Sequence, residues 1–167
     1  RFPAIHARYL LLMATHLKPG DPAPAFAAPG TDGALLRSTD FLGRKLVLYF
    51  YPMDDTPGCT KQACSLRDAN TEIAARGAAI LGVSAQGSDS HQRFSDKFNL
   101  NFHLLADTDL TVAKAYGVAG SGLGGLLRSV VKFSERVTFI IDEKGRISHI
   151  IDDPDCPDHG EQVLALL

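Results

Sequence analysis

The feature that most constrains the fold of this chain is an alternation of short apolar runs with longer helical patterns. The run KLVLYFY, Lys45 to Tyr51, is continuously apolar and aromatic, which is typical of a strand buried on both faces of a sheet. A helical pattern follows from Pro57 to Arg76, and Gly77 is well placed to end it. The run AAILGVSA, residues 78–85, then predicts a second buried strand. Strands that alternate with helices in this way predict an α/β fold with a central sheet flanked by helices.

The remaining elements are shorter and extend this sheet. The sequence predicts a hairpin turning at Asp32–Gly33, a helix over 88–100 capped by Ser88 or Ser90, a strand over 103–107, a short helix over 110–118, a hairpin of 136–142 with 146–153, and a final helix over 156–167. Because a hairpin is added to strands that are joined by helices, we expect a mixed sheet.

Length and charge exclude several classes of protein. The chain has 167 residues, which suits one domain with a sizeable core. Its net charge is −2, from 17 basic and 19 acidic residues without a basic patch, so we expect neither nucleic acid nor a membrane surface as a partner. Three cysteines are too few for a disulfide scaffold, and an odd count with one close pair favours redox or catalytic use in a reducing compartment. We therefore expect a cytoplasmic protein.

The first twelve residues are interpreted separately from the domain. The segment RFPAIHARYLLL precedes Met13, and its apolar run is too short to span a membrane. It also lacks the apolar core and cleavage site of a signal peptide. We interpret residues 1–12 as a leader or an added extension and predict a single domain over residues 13–167.

Two of the three cysteines lie in the stretch YFYPMDDTPGCTKQAC, where the predicted strand passes through a loop into the predicted helix. Thr56 is a good N-cap residue, and Pro57 suits the first helical position because its missing N–H leaves no bond unmade. This places Cys59 in the first turn of the helix. Free amide groups and the positive end of the helix dipole favour a thiolate there, so the sequence predicts a reactive thiol at Cys59.

Cys64 lies five residues further along the same predicted helix. Five residues of α-helix rise about 7.5 Å and turn about 140°, which separates the two Cα atoms by about 8.6 Å. A disulfide requires Cα atoms within about 7 Å, so an intact helix cannot hold a bond between Cys59 and Cys64. Either the two cysteines never bond, or the first turns of the helix unwind to bond them. A plain core role for Cys64 is an equal alternative on this pattern alone.

The same stretch resembles a known family. Pro52, Thr56 and Cys59 form P-x-x-x-T-x-x-C, which resembles the active-site signature of the peroxiredoxins. The wider run YFYPMDDTPGCTKQACSLRD resembles the bacterioferritin-comigratory-protein, or PrxQ, branch of that family. The later run RVTFIIDEKGRI resembles the strand that bears the family's active-site arginine, here Arg136. The resemblance covers residues 16–167 and implies a thioredoxin-like fold and a thiol-dependent peroxidase.

The resemblance implies a role for each matching residue. Cys59 is expected to be the peroxidatic cysteine, whose thiolate attacks a hydroperoxide and becomes a sulfenic acid. Cys64 is expected to be the resolving cysteine, which condenses with that sulfenic acid to an intramolecular disulfide. Thr56 is expected to hydrogen-bond the thiolate or the peroxide, and Pro52 to shield the site from water. Arg136 is expected to stabilise the thiolate and the charge that develops during attack.

The resemblance also implies partners. Hydrogen peroxide and organic hydroperoxides are the expected substrates, and thioredoxin or a glutaredoxin-like dithiol donor is the expected reductant. No cofactor and no metal are expected. We expect a monomer, with a weak dimer through LLRSVV, residues 126–131, as the alternative. A thioredoxin-like disulfide reductase is disfavoured because it would carry C-x-x-C, and a non-catalytic binding module would not need the full set of site residues.

Several neighbouring residues have more than one interpretation. Asp54 and Asp55 are expected to stay solvated near the positive end of the helix. Gln62 is expected either to join the hydrogen bonds of the site or to face solvent. Cys156 is a bystander thiol, an alternative resolving cysteine or a site of intermolecular bonding. A solvated cap rather than a metal site is expected of four acidic residues together with His159: Asp152, Asp153, Asp155 and Asp158.

Overall fold

The structure is a computed structural model that describes residues 15–120 and 133–167. Its strands are β1 (Ala27–Pro29), β2 (Leu35–Arg37), β3 (Lys45–Phe50), β4 (Ala78–Ser84), β5 (His103–Ala106), β6 (Val137–Ile141) and β7 (Ile147–Ile151). The helices within the described residues are α1 (Pro57–Ala75), α2 (Ser88–Phe98), α3 (Thr111–Ala115) and α4 (His159–Leu164), with 3-10 turns at Ser38–Phe41 and Cys156–Asp158.

Five strands form one mixed sheet in the order β5-β4-β3-β6-β7, and β1 and β2 form a separate antiparallel hairpin. The strands β3, β4 and β5 run parallel, because α1 and α2 carry the chain back between them. On the other side of β3, β6 and β7 pair antiparallel as a hairpin. The predicted α/β fold with a central mixed sheet flanked by helices is confirmed.

The two faces of β3 build two apolar clusters. Leu46, Leu48 and Phe50 point into a cluster with the β1–β2 hairpin and α3, whereas Val47 and Tyr49 point into a cluster with α1, α2 and α4. Each of these side chains is fully buried or nearly so. Burial of one large apolar side chain contributes about 1.5–3 kcal/mol, so these side chains hold β3 firmly in the sheet. The chain leaves this strand directly into the loop that carries the predicted site.

Helix α1 begins and ends where the sequence predicts. Thr56 is its N-cap residue and Pro57 its first residue. Gly77 lies just past its end with a φ of +77°, a conformation that glycine adopts without steric cost. The apolar residues Leu66 and Ile73 are fully buried and hold the middle and the end of the helix against the sheet.

Helix α2 starts differently from the prediction. Its N-cap residue is Gly87, so the expectation of a serine cap is wrong. The Ser88 hydroxyl donates to the carbonyl of Gly30 at 2.8 Å, and the Ser90 hydroxyl donates to Asp54 at 2.7 Å. Both hydroxyls therefore bond groups that are distant in sequence, which a local pattern cannot indicate.

Two expectations concern segments outside the described residues: the leader at residues 1–12 and the contact segment LLRSVV at residues 126–131. Across the two described ranges, no helix has the length and apolar character needed to cross a membrane.

Candidate active site

The predicted reactive thiol lies at the junction between β3 and α1. Cys59 is the third residue of α1, and 1% of its surface is exposed. It belongs to the apolar cluster between the sheet and α1, α2 and α4. The thiol is free, so the structure shows the reduced form. The sulfur therefore lies at the N-terminal end of α1, where the helix dipole is positive.

Arg136 contacts this sulfur from the start of the neighbouring strand β6. It precedes β6, which pairs with β3 so that Val137 lies opposite Phe50. Its Nη2 donates to Cys59 Sγ at 3.3 Å, and its Nη1 donates to Gln62 Oε1 at 2.6 Å. Gln62 is buried, so of its two predicted alternatives the structure supports the hydrogen-bonded one. The fork of one guanidinium thus joins the sulfur to a side chain one turn further along α1.

The loop before α1 brings Pro52 and Thr56 to the same end of the helix. Pro52 is half-buried and lies two residues past the end of β3. The Thr56 hydroxyl donates to the carbonyl of Met53 at 3.1 Å instead of capping the helix amides. Thr56 is therefore the N-cap residue by backbone position, and its side chain closes the turn of the loop.

Cys64 lies on α1 as expected, half-buried and free. The helix is continuous from Pro57 to Ala75, so Cys59 and Cys64 are separated by an intact helical segment. The structure therefore shows the state in which the two cysteines cannot bond.

The expectation that Asp54 is solvated is wrong. Its side chain is only 5% exposed, and its carboxylate accepts hydrogen bonds from Tyr51 Oη at 2.6 Å, Ser90 Oγ at 2.7 Å and His91 Nδ1 at 2.7 Å. Burial by itself raises the pKa of Asp54, but the hydrogen bonds from His91 and the two hydroxyls outweigh it and lower the pKa below its usual value. Asp55 is exposed as expected and pairs with Lys97 at 2.8 Å.

The C-terminal end of the chain packs beside the site. His159 is fully buried, so the expected solvated cap is wrong at this residue. Its Nε2 lies 2.9 Å from Thr138 Oγ1, its Nδ1 lies 3.1 Å from Gln162 Oε1, and burial lowers the pKa of its ring. Within the described residues no group of His, Cys, Asp and Glu side chains is arranged to hold a metal ion.

Cys156 lies close to the N-terminal end of α1. Its Sγ is 4.0 Å from the position that a Cβ on Gly58 would take, and the same position is 3.3 Å from Arg136 Nη2. Burial raises the pKa of the Cys156 thiol, which keeps it protonated at neutral pH. The third thiol therefore neighbours the site but is a poor nucleophile in this conformation.

Sequence reasoning missed two polar atoms in the cluster that contains Cys59. Tyr49 Oη and Gln62 Nε2 are buried and have no hydrogen-bond partner among the described residues. Burial raises the pKa of Tyr49 well above its usual value, so its hydroxyl remains protonated. The apolar pattern predicts that an aromatic residue in a buried strand belongs to the core. No local signal indicates that its hydroxyl lacks a hydrogen-bond partner.

The comparisons with known proteins agree with this geometry. Residues 19–150 match the model of the AhpC/TSA family. Peroxiredoxin Bcp of Escherichia coli is 41% identical over 150 residues, which cover 89% of this chain and 94% of the relative. The crystal structure of peroxidoxin BcpB from Mycobacterium tuberculosis superimposes with a TM-score of 0.81 at 33% identity and covers 90% of this chain and 96% of that one.

A further solved structure is the bacterioferritin comigratory protein of Xanthomonas campestris, which was studied for its alkyl peroxide reduction activity. It has a TM-score of 0.77 at 29% identity and covers 90% of this chain and 95% of that one. Together with the family match, these similarities confirm the predicted fold, a central mixed sheet flanked by helices of the thioredoxin-like type.

Proposed function

Because this chain belongs to the AhpC/TSA family and is a peroxiredoxin of the Bcp/PrxQ type, we propose that Cys59 is its peroxidatic cysteine. The enzyme is a thiol-dependent peroxidase, which acts on a hydroperoxide and requires a thiol reductant. The observation that carries the assignment of Cys59 is the contact of Arg136 Nη2 with its Sγ at 3.3 Å in the first turn of α1. The other two cysteines have no such contact with a cation among the hydrogen bonds of the described residues.

In the first step the Cys59 thiolate attacks one oxygen of the hydroperoxide. The S–O bond forms as the O–O bond breaks, and hydroxide or alkoxide leaves, takes up a proton and departs as water or alcohol. Cys59 becomes a sulfenic acid. Arg136 stabilises the charge as it moves from sulfur to the leaving oxygen, and Gln62 holds the guanidinium in place through the bond to Nη1. Pro52 and Thr56 shape the loop that borders the attacking sulfur.

In the second step Cys64 is the resolving cysteine. Its thiolate attacks the sulfenic sulfur of Cys59, the S–S bond forms as the S–O bond breaks, and the leaving hydroxide takes up a proton and departs as water. The first turns of α1 unwind for this step, because the intact helix holds the two Cα atoms too far apart. Thiol–disulfide exchange with thioredoxin or a glutaredoxin-like donor then regenerates both thiols.

The proposal includes both hydrogen peroxide and organic hydroperoxides as substrates, and the reported activity of the Xanthomonas campestris protein supports the second class. We further infer that the domain spans residues 13–167 and acts as a monomer in the cytoplasm. A reducing compartment suits an enzyme whose three cysteines are free in the structure and whose catalytic cycle starts from a thiolate.

Single cysteine variants test these roles. Cys59→Ser should abolish peroxide consumption, because Cys59 is the cysteine whose sulfur accepts a hydrogen bond from Arg136. Cys64→Ser should keep the first oxidation, lose thioredoxin-supported turnover and become over-oxidised at Cys59. Since the chain has no tryptophan, both steps are best followed by rapid quenching and mass spectrometry. Cys156→Ser is the matched control and should retain turnover; loss of turnover in this variant, with full turnover in Cys64→Ser, would show that the resolving assignment is wrong.

A further inference from the structure

Asp54 connects the loop before Cys59 to other elements of the fold through hydrogen bonds. Besides the three bonds to its carboxylate, the backbone N–H of Asp54 donates to Gln86 Oε1 at 3.1 Å. Gln86 Oε1 in turn accepts a hydrogen bond from Ser84 Oγ at 2.7 Å. The residue is therefore held at both its backbone and its side chain, by groups from the ends of β3 and β4 and from the first turn of α2.

His91 is the buried partner of the Asp54 carboxylate. Its Nδ1 lies 2.7 Å from that carboxylate, and its Nε2 lies 3.0 Å from the carbonyl oxygen of Leu105. Each ring nitrogen therefore faces a hydrogen-bond acceptor. The side chains of His91 and Asp54 are 0% and 5% exposed. Removal of one partner from such a buried pair leaves an uncompensated charge, which is strongly unfavourable.

A second fixed point lies at Ser65, on the far side of the two cysteines. The backbone N–H of Gly160 in α4 donates to Ser65 Oγ at 2.8 Å. A Cβ on Gly160 would stand only 2.6 Å from the Ser65 carbonyl oxygen, so the two backbones are in close contact. The next residue, Leu66, is fully buried. Residues 55–64, which contain both cysteines, thus lie between two fixed points.

Apart from the bonds of Arg136 to Cys59 and Gln62, the segment between these points is held by small side chains and local bonds. Its buried apolar side chains are the small ones of Cys59 and Ala63. Thr56 bonds only within its own turn, and Asp55 is tied by one exposed ion pair. Exposed pairs contribute little, about 0–1 kcal/mol, so the strength of the N-terminal anchor lies in Asp54.

We propose that Asp54 and His91 are positioning residues that fix the N-terminal end of the segment that unwinds during the peroxidase cycle. This inference rests on the proposed roles of Cys59 and Cys64. The pair holds the loop in the conformation that presents Cys59 to Arg136, and it sets the equilibrium between the helical and the unwound form of residues 55–64. Loss of the pair favours the unwound form. The oxidation of Cys59 by peroxide then slows, whereas the formation of the Cys59–Cys64 disulfide accelerates.

The chain offers a matched control one residue away. Asp54→Asn and Asp55→Asn make the same chemical change, the first in the buried pair and the second in the exposed pair with Lys97. Ser90→Ala removes one hydrogen bond to Asp54 and keeps the ion pair, so it serves as a milder variant should Asp54→Asn not fold. Ile147→Val lowers the stability of the opposite apolar cluster without touching the loop.

The two chemical steps are measured separately by rapid quenching and mass spectrometry after hydrogen peroxide is mixed with the reduced, full-length variants. In Asp54→Asn we expect the rate constant for sulfenic acid formation to fall about tenfold or more and that for disulfide formation to rise. Ser90→Ala should change both rates in the same directions by smaller factors. Asp55→Asn and Ile147→Val should leave the ratio of the two rate constants near that of the wild type.

Opposite changes of the two rates would not arise from a general loss of structure, which slows oxidation without a faster resolution step. Equal ratios in Asp54→Asn, Ser90→Ala and Asp55→Asn would overturn the positioning role. A wild-type protein that forms no sulfenic acid at Cys59 would instead overturn the proposed function, so the two failures are distinguishable.

Discussion

Arg136 joins two side chains of α1 with a single guanidinium. Nη2 contacts Cys59 Sγ and Nη1 contacts Gln62 Oε1, so the planar fork fixes its own direction while it approaches the sulfur. A lysine has one ammonium group on a flexible stem and cannot hold both contacts with the same geometry. Arginine therefore supplies both a positive charge and a fixed position of that charge relative to the sulfur.

Substitutions of Arg136 should separate these two contributions. In Arg136→Met the rate constant for oxidation of Cys59 by hydrogen peroxide should fall about 10²–10³-fold, because the positive charge beside the developing oxyanion is lost. Arg136→Lys should fall between Arg136→Met and the wild type. Rapid quenching with mass spectrometry gives the rates, and Arg37→Met, at an exposed arginine, provides the control. A rate in Arg136→Lys equal to the wild-type rate would show that charge alone suffices.

At the scale of elements, the hydrogen bonds of His159 join α4 to β6. The ring lies between Thr138 on the strand and Gln162 on the helix. A hydroxyl can donate to Nε2 while Nδ1–H donates to the amide oxygen, so the neutral ring satisfies both partners. A protonated ring would lose the acceptor at Nε2 and would be buried with a charge. The hydrogen bonds seen at His159 therefore suit a neutral ring.

Stability should fall as the pH drops because of this residue. Burial holds the pKa of His159 in the folded state below its ordinary value of 6.5. The unfolded chain therefore binds the proton first, and the free energy of unfolding decreases below about pH 6.5 by at most about 1.4 kcal/mol per pH unit. Urea unfolding should be measured from about pH 7.5 to about pH 5. The free energy of unfolding should depend less on pH in His159→Gln than in the wild type.

His149 supplies the control for this measurement, since it lies exposed on β7. His149→Gln makes the same substitution without removing the bond between α4 and β6. Equal pH dependences of unfolding in the His159→Gln and His149→Gln variants would contradict the assignment of this effect to His159.

The sequence predicts elements better than it predicts buried polar contacts. The apolar run of β3, the N-cap position of Thr56 and the glycine after α1 are local signals, and the structure agrees with each. Asp54 and His159 are buried because of partners from other elements, such as His91 for Asp54 and Thr138 for His159. An acidic or histidine side chain next to the start of a helix is predicted to be solvated, because the sequence does not show which distant residues contact it.

Within the candidate site, too, local features were predicted and distant contacts were not. The motif residues Pro52, Thr56 and Cys59 lie close together in sequence, and the resemblance of its strand indicated Arg136. The choice between two environments for Gln62 could not be made from the sequence, because it depends on which face of α1 meets Arg136. Likewise, the pattern places Cys156 before the last helix but does not show that this turn packs beside Gly58.

At the scale of the whole molecule, the reduced enzyme keeps two thiols on a helix that does not permit them to bond. The proposed Cys59–Cys64 disulfide would therefore require a different local structure, and the contacts of Asp54 and Ser65 would limit how far that change spreads. The strand β3 and the later part of α1 are held by fully buried side chains, so we expect them to stay folded. In the proposed cycle, unwinding of the segment would also expose the disulfide to a reductant and so assist the return to the reduced form.

Hydrogen exchange on the reduced and oxidised forms tests this limit. Amides of residues 60–65 should lose protection on oxidation, since their helical hydrogen bonds break when the Cys59–Cys64 disulfide forms. Amides of β3, and those of α1 beyond residue 68, should keep theirs because their hydrogen-bond acceptors lie outside the unwound segment. The Cys64→Ser variant after one equivalent of peroxide is the control, because it carries oxidised Cys59 without the disulfide. Unchanged protection of residues 60–65, in a sample whose disulfide is verified by mass spectrometry, would show that the two cysteines bond without unwinding. Loss of protection throughout α1 would place the C-terminal boundary of the unwound segment beyond Ser65.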